Sequence, residues 1–138
     1  MFWIKHDVGN DGRSWVRLST RCRVLGCRQQ LEIVTADLAT EDDCHAAVSD
    51  YEIVYHLTAS LGGCTNSLFV NSVVPTRELV RVASESDVRR FVLVSSLGVY
   101  GPQKLRRNAT VDESCPVDEA PHLRDAYTYS KVVQEEVA

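Results

Sequence analysis

The chain has 138 residues, of which 44% are hydrophobic and 25% charged, the balance of a single soluble globular domain. A formal net charge of −4 argues against nucleic acid and anionic membranes as partners, since both carry the same sign. No apolar run reaches the ~18 residues of a membrane span, and Met1-Phe2-Trp3-Ile4-Lys5-His6-Asp7 lacks the long apolar core of a signal peptide.

Residues 1–14 form an atypical N-terminal segment in which Gly9-Asn10-Asp11-Gly12 reads as a turn. Trp15-Val16-Arg17-Leu18-Ser19 alternates apolar and polar, as a strand does. Leu31 to Ala36 is β-branched and ends at Asp37-Leu38, a second strand. Glu41 to Val48 reads as a short helix, with Thr40 as N-cap and acidic residues behind it. Ile53 to Leu57 is a short apolar strand, which Leu61-Gly62-Gly63 follows as a break.

From about Ser67 to Ser86 the pattern is helical, with Phe69, Val73, Thr76, Val80 and Ala83 on one stripe. Pro75 lies inside it and should kink the helix or mark its true start. Phe91 to Ser95 is the most apolar strand and is expected at the centre of the sheet, buried on both faces. Residues 101–124, with Pro102, Pro116 and Pro121, read as a long loop, and a last helix begins near Ala126. Strands alternating with helices predict an α/β fold, a partial doubly wound parallel sheet with flanking helices over residues 15–138. Ligands bind such sheets at the carboxyl ends of the strands, where Asp37, His56 to Ala59 and Ser95-Ser96 fall.

Tyr127 and Lys131 stand four residues apart on the last helix, hence on one face. A free Tyr titrates near ~10 and is a poor base at neutral pH. A neighbouring ammonium makes its proton easier to lose. A serine hydroxyl at a strand end can hydrogen-bond a substrate oxygen that gains or loses a proton. Together such groups suit hydride transfer between a nicotinamide and a carbinol or carbonyl carbon. Tyr-x3-Lys alone is a common coincidence, its plain reading an aromatic at a helix start with a solvated lysine one turn on.

The five cysteines, Cys22, Cys27, Cys44, Cys64 and Cys115, are odd in number and scattered. They suit reduced thiols in a cytoplasmic protein rather than a disulfide framework. No second Cys pair or His-x3-5-His follows Cys22 and Cys27, so no metal site is expected.

Leu93-Val94-Ser95-Ser96-Leu97-Gly98-Val99-Tyr100-Gly101, followed by Tyr127-Thr128-Tyr129-Ser130-Lys131, resembles the extended short-chain dehydrogenase/reductases, the NAD(P)-dependent epimerase/dehydratase family. The resemblance implies a Rossmann-like NAD(P)-binding domain. In it Ser96 is catalytic, Tyr127 is the acid/base, and Lys131 binds the nicotinamide ribose and eases deprotonation of Tyr127. Val34-Thr35-Ala36-Asp37-Leu38 resembles the family's third strand, implying adenine contacts for Asp37 and Leu38. Val54-Tyr55-His56-Leu57-Thr58-Ala59 resembles its fourth, implying that Leu57, Thr58 and Ala59 pass under the cofactor, with Ser95 beside it. Val111 to Pro116 resembles its substrate-side loop. Val16 to Arg21 resembles the second strand of members that prefer NADP. Arg21 there would pair with the 2′-phosphate, so the cofactor is NAD or NADP with a lean to NADP.

Three departures qualify the resemblance. The family's opening strand, Gly-rich turn and helix, which hold the cofactor pyrophosphate, have no counterpart: only three residues separate Gly12 from Val16, too few for a helix. Ser72-Val73-Val74-Pro75-Thr76 replaces the family's Asn-Val-x-Gly-Thr, with Asn71 one place early; Ser72 and Asn71 read plainly as helix caps. The chain stops at Ala138, before the family's substrate domain. The expectation is a partial domain lacking its first strand. Its function would be that of an epimerase/dehydratase or reductase acting on a nucleotide-sugar or similar hydroxyl or carbonyl compound. A steroid- or flavonoid-type reductase of the same superfamily differs only in substrate. The alternative is a non-catalytic remnant or homodimerisation module that pairs through the helices near 67–86 and 126–138.

Overall fold

The computed structural model describes residues 2–8, 14–20, 32–60 and 64–138. The Gly9–Gly12 turn, Arg21 and the Cys22/Cys27 pair lie outside these residues. Five strands make one sheet: β1 (Phe2–Val8), β2 (Ser14–Thr20), β3 (Glu32–Ala36), β4 (Ile53–His56) and β5 (Arg90–Leu93), in the spatial order β3-β2-β1-β4-β5. This is the order of the first five strands of a doubly wound sheet.

β1 corrects the expectation that a first strand is missing. Its aromatic and β-branched residues (Phe2, Trp3, Ile4, Val8) suit a strand, and it pairs parallel with β4, Phe2 against Val54 and Ile4 against His56. β4 pairs parallel with β5, Val54 against Phe91. β2 is the exception, antiparallel both to β1 (Ile4 against Leu18) and to β3 (Leu18 against Val34). The reason is length. Only residues 9–13 join β1 to β2, whereas a parallel crossover needs a dozen or more residues. With β2 reversed, β3, β1, β4 and β5 still point the same way. β5 is also not central: among the described strands it is the sheet edge, and its side chains are only partly buried.

α1 (Glu41–Val48) forms where the sequence placed it, with Glu41, Asp42 and Asp43 in its first turn, favourable to the helix dipole. Thr40 occupies the N-cap position, but its hydroxyl donates to Asp37 O at 3.1 Å instead of capping. The Asp43 carboxylate reaches back to accept from Asp37 N at 2.7 Å.

The predicted long helix comprises α2 (Thr65–Leu68), a π turn (Phe69–Val73) and α3 (Val74–Ser84). Pro75 lies in the first turn of α3. The wider turn just before it suits a residue that lacks an N–H and crowds the carbonyl four residues back. Ser72, expected as a cap, is buried within that turn and accepts from Ser60 N at 2.9 Å.

Ala36, Leu38, Cys44, Ala47, Val48, Val54, Leu79 and Val82 form the core, where α1 and α3 close over the sheet. Full burial of Leu79 contributes about 1.5–3 kcal/mol. The Cys44 thiol donates to Leu38 O at 3.3 Å, and burial pushes its pKa up to about 12, an inert core thiol.

The predicted loop is pinned beside β5: Tyr100 bridges Val117, Gly101 N donates to Pro116 O at 3.0 Å, and Asp118 N donates to Val99 O at 2.8 Å. α4 (Ala126–Val137) follows. Among the described residues no helix is long and apolar enough to cross a membrane.

Candidate active site

Four strands share a direction, so their carboxyl ends share an edge of the sheet. Asp37-Leu38 follow β3, Leu57 to Ser60 follow β4, and Val94 to Leu97 follow β5. α4 starts at Asp125, whose carboxylate accepts from Thr128 N at 2.8 Å and Thr128 Oγ1 at 2.7 Å. These bonds cap the helix and hold the Asp125 carboxyl below its ordinary pKa.

Two polar contacts from α4 reach the strand ends. Lys131 Nζ donates to Val94 O beyond β5 at 3.0 Å. Gln134 Nε2 donates to Thr58 O beyond β4 at 3.3 Å. Lys131 is only 3% exposed. Burial depresses its pKa, because a desolvated ammonium is disfavoured, and the Glu135 carboxylate partly opposes that shift.

Ser96 opens a single 3₁₀ turn, Leu97–Val99, and its Oγ accepts from Gly98 N at 3.2 Å. Gly98 is where this turn meets α4. A Cβ there would stand 3.3 Å from Thr128 Oγ1 and 3.4 Å from Ser96 Oγ, so glycine permits the close approach. Arg124, next to the cap of α4, locks the junction. Its Nη1 donates to Gly98 O at 2.7 Å, to Tyr100 O at 3.2 Å and to Asp118 Oδ2 at 3.2 Å. The Ser96 turn, the first turn of α4 carrying half-buried Tyr127, and Lys131 therefore gather at one end of the sheet.

The other residues singled out from the sequence have different surroundings. Thr58 is buried and Ala59 half-buried beyond β4, with Leu57 more open. Ser95 Oγ and Thr58 Oγ1 are buried without a hydrogen-bond partner among the described residues. Asp37 is exposed and one of its carboxylate oxygens accepts from Ala39 N at 3.0 Å, closing a local turn. The Leu38 side chain lies in the core. Arg124, Asp125 and Gln134 were not anticipated. Asp125 had a readable signal, a capping residue three before a threonine at a helix start; Arg124 and Gln134 had none.

The profile of a family described as NAD(P)H-binding matches residues 8–133. The chain belongs to that family. Among curated relatives, cinnamoyl-CoA reductase 1 of Petunia hybrida is 28% identical over 116 residues, covering 82% of this chain and 35% of the relative. Cinnamoyl-CoA reductase 1 of Arabidopsis thaliana is 29% identical over 124 residues, covering 87% and 36%. The chain thus spans about a third of the length of these relatives.

Among solved structures, a short-chain dehydrogenase/reductase superfamily protein from Agrobacterium tumefaciens with bound NAD matches with TM-score 0.61 and 29% identity over 72% of this chain and 30% of its own. A mutated uronate dehydrogenase matches with TM-score 0.66 and 25% identity over 85% and 41%. Glucuronic acid dehydrogenase from Chromohalobacter salexigens gives 0.65 and 26% over 83% and 41%. These likenesses bear out the Rossmann-like α/β fold and the kinship with the extended short-chain dehydrogenase/reductases, a family built around a nicotinamide cofactor.

The described residues fit such a cofactor unequally. The ends of β4 and β5 carry the Thr58 and Ser95 hydroxyls, buried without a partner among the described residues, and the Lys131 ammonium, polar groups that could meet a ribose. At the end of β1 the fit fails: β2 begins at Ser14 and runs back antiparallel. Among the described residues no helix lies between β1 and β2 to receive a pyrophosphate.

Proposed function

We propose that this chain carries the proton-transfer half of an NAD(P)-dependent oxidoreductase acting on a hydroxyl or carbonyl compound. The observation that carries the reading is the docking of α4. Lys131 Nζ lies 3.0 Å from Val94 O and Thr128 packs against the Gly98–Ser96 turn, so serine, tyrosine and lysine share one strand edge. A bound nicotinamide would accept or donate the hydride. Tyr127 would exchange the proton of the substrate oxygen, and Ser96 Oγ would hydrogen-bond that oxygen. Lys131 would hold ribose hydroxyls and supply the positive charge of the site. Thr58, Ala59 and Leu57 would lie under the cofactor, Ser95 beside it, and Asp37 toward the adenine. Arg21 would favour a 2′-phosphate, so NADP would bind at least as well as NAD.

The relatives' printed names, reductase and dehydrogenase, support oxidoreduction of a small molecule; the substrate class proposed here is a nucleotide-sugar or related alcohol or ketone. The test is calorimetric titration of the 138-residue chain with NAD⁺ and NADP⁺. Binding that disappears in a Tyr127→Phe, Lys131→Ala double variant is the expected result. No heat of binding at millimolar cofactor would sink catalysis by this chain.

A second reading, a non-catalytic module that pairs with a second copy, is favoured by an apolar helix face. Val70 is 55% and Val74 37% exposed, four residues apart on the helix after β4. A folded, strictly monomeric species in sedimentation would rule it out.

A further inference from the structure

Gln134 lies three residues beyond Lys131 on the inner face of α4 and is fully buried. Its Nε2 faces acceptors from three separate elements: Thr58 O after β4 at 3.3 Å, Ser72 O in the π turn at 3.1 Å, and Thr76 Oγ1 in α3 at 2.7 Å. Thr76 Oγ1 spends its single hydrogen on Ser72 O, 2.7 Å away. It can therefore only accept from Gln134, which settles which end of the carboxamide points inward. The same count makes His56, whose Nε2 lies 2.8 Å from Thr76 Oγ1, a donor through Nε2.

A buried carboxamide costs more to desolvate than a leucine of similar size. What it adds is direction. Apolar contacts such as those of Val132 hold a helix against a sheet without fixing its rotation or axial shift. The Lys131–Val94 bond hangs on a flexible four-carbon stem and tolerates slippage. A short amide whose two hydrogens are shared among the Thr76 hydroxyl and the Thr58 and Ser72 carbonyls does not.

We infer that Gln134 is a positioning residue: its carboxamide sets the rotation and register of α4 against the β4 end and α3, and so places Lys131 and Tyr127 at the strand edge. The inference rests on reading that edge as the active site, but its test does not. The side-chain resonances of Lys131 are followed against pH in the full chain, for the wild type, Gln134→Leu, Thr76→Val and Thr76→Ser. In Gln134→Leu and Thr76→Val, Lys131 slips from its buried place. Its titration then moves up toward that of an ordinary lysine, and cofactor affinity falls about tenfold or more. Thr76→Ser keeps the hydroxyl and should match the wild type on both counts.

A folded Gln134→Leu with a lower melting temperature but an unmoved Lys131 titration overturns the inference and leaves Gln134 an ordinary core residue. If Gln134→Leu does not fold, Thr76→Val, which leaves α4 unaltered, decides the matter: an unmoved Lys131 overturns the inference equally. A Lys131 titration that moves as expected, in a chain that binds no cofactor even as wild type, supports the positioning role while refuting the proposed function.

Discussion

The two halves of the sheet are built by different rules. From β4 onward the strands are parallel and joined through helices, and their carboxyl ends are tied to α4 by Lys131, Gln134 and the Arg124 junction. From β1 to β3 the strands pair antiparallel. Both halves keep the doubly wound strand order, yet among the described residues only the half from β4 onward joins its strands through helices. Position in a sheet and direction in a sheet are thus separable. Direction at β2 follows from how much chain is available to return. The polar contacts of Lys131, Gln134 and Arg124 all lie on the parallel side, and among the described residues no helix lies between β1 and β2.

The largest expected effect tests the parallel half alone. Tyr127→Phe removes the phenol and leaves the ring, and should lower any oxidoreductase turnover by roughly 10²–10⁴-fold, with the circular dichroism spectrum unchanged. A residual rate near that of the wild type would place the proton transfer elsewhere.

Next comes the core the two halves share. Leu79 packs in one cluster with Ala36 of β3 and Val54 of β4. Leu79→Ala should cost about 2–5 kcal/mol, read as a lower urea midpoint with strand and helix signals lost together. Two separate transitions would show that the halves unfold independently.

A smaller effect is expected at the Ser96–α4 contact. A methyl group at position 98 would press on Thr128 Oγ1 and Ser96 Oγ, so Gly98→Ala should cost about 1–3 kcal/mol. Turnover should fall more than cofactor affinity, because the Ser96 side of the site moves. Equal losses in both would mean the contact is only structural.

The smallest is the cap. Asp125→Ala should cost about 1 kcal/mol. The folded Asp125 carboxyl titrates below its ordinary value of 3.8, so its contribution is complete above that value and is lost as pH falls through the lower, folded value. Asp125→Asn should keep the cap and abolish this acid-side loss, measurable as a flatter dependence of melting temperature on pH.

Local pattern was enough for α1, for the strands β2 to β4 and for the start of α4, because each is announced by periodicity, a cap or a breaker within a few residues. β1 carries no local flag, because no Gly-rich turn and helix of the family's opening unit fits between Val8 and Ser14. β5 was expected at the centre because Phe91-Val92-Leu93-Val94 is so apolar, but its place at the edge depends on what pairs with it, and no local run encodes that. At the site, Ser96, Tyr127 and Lys131 were legible from motif spacing. Leu38 was expected at the cofactor, yet the turn after β3 directs its side chain into the core.

The sequence by itself determined the α/β class, the kinship with NAD(P)H-binding proteins and the chemical groups on offer, since these rest on residue type and spacing along the chain. Tertiary structure alone decided two other things: the burial of Lys131 and the wedging of Gln134 among Thr58, Ser72 and Thr76. Each depends on groups dozens of residues apart meeting across a packed interface, where desolvation and hydrogen-bond direction, rather than local propensity, set the outcome.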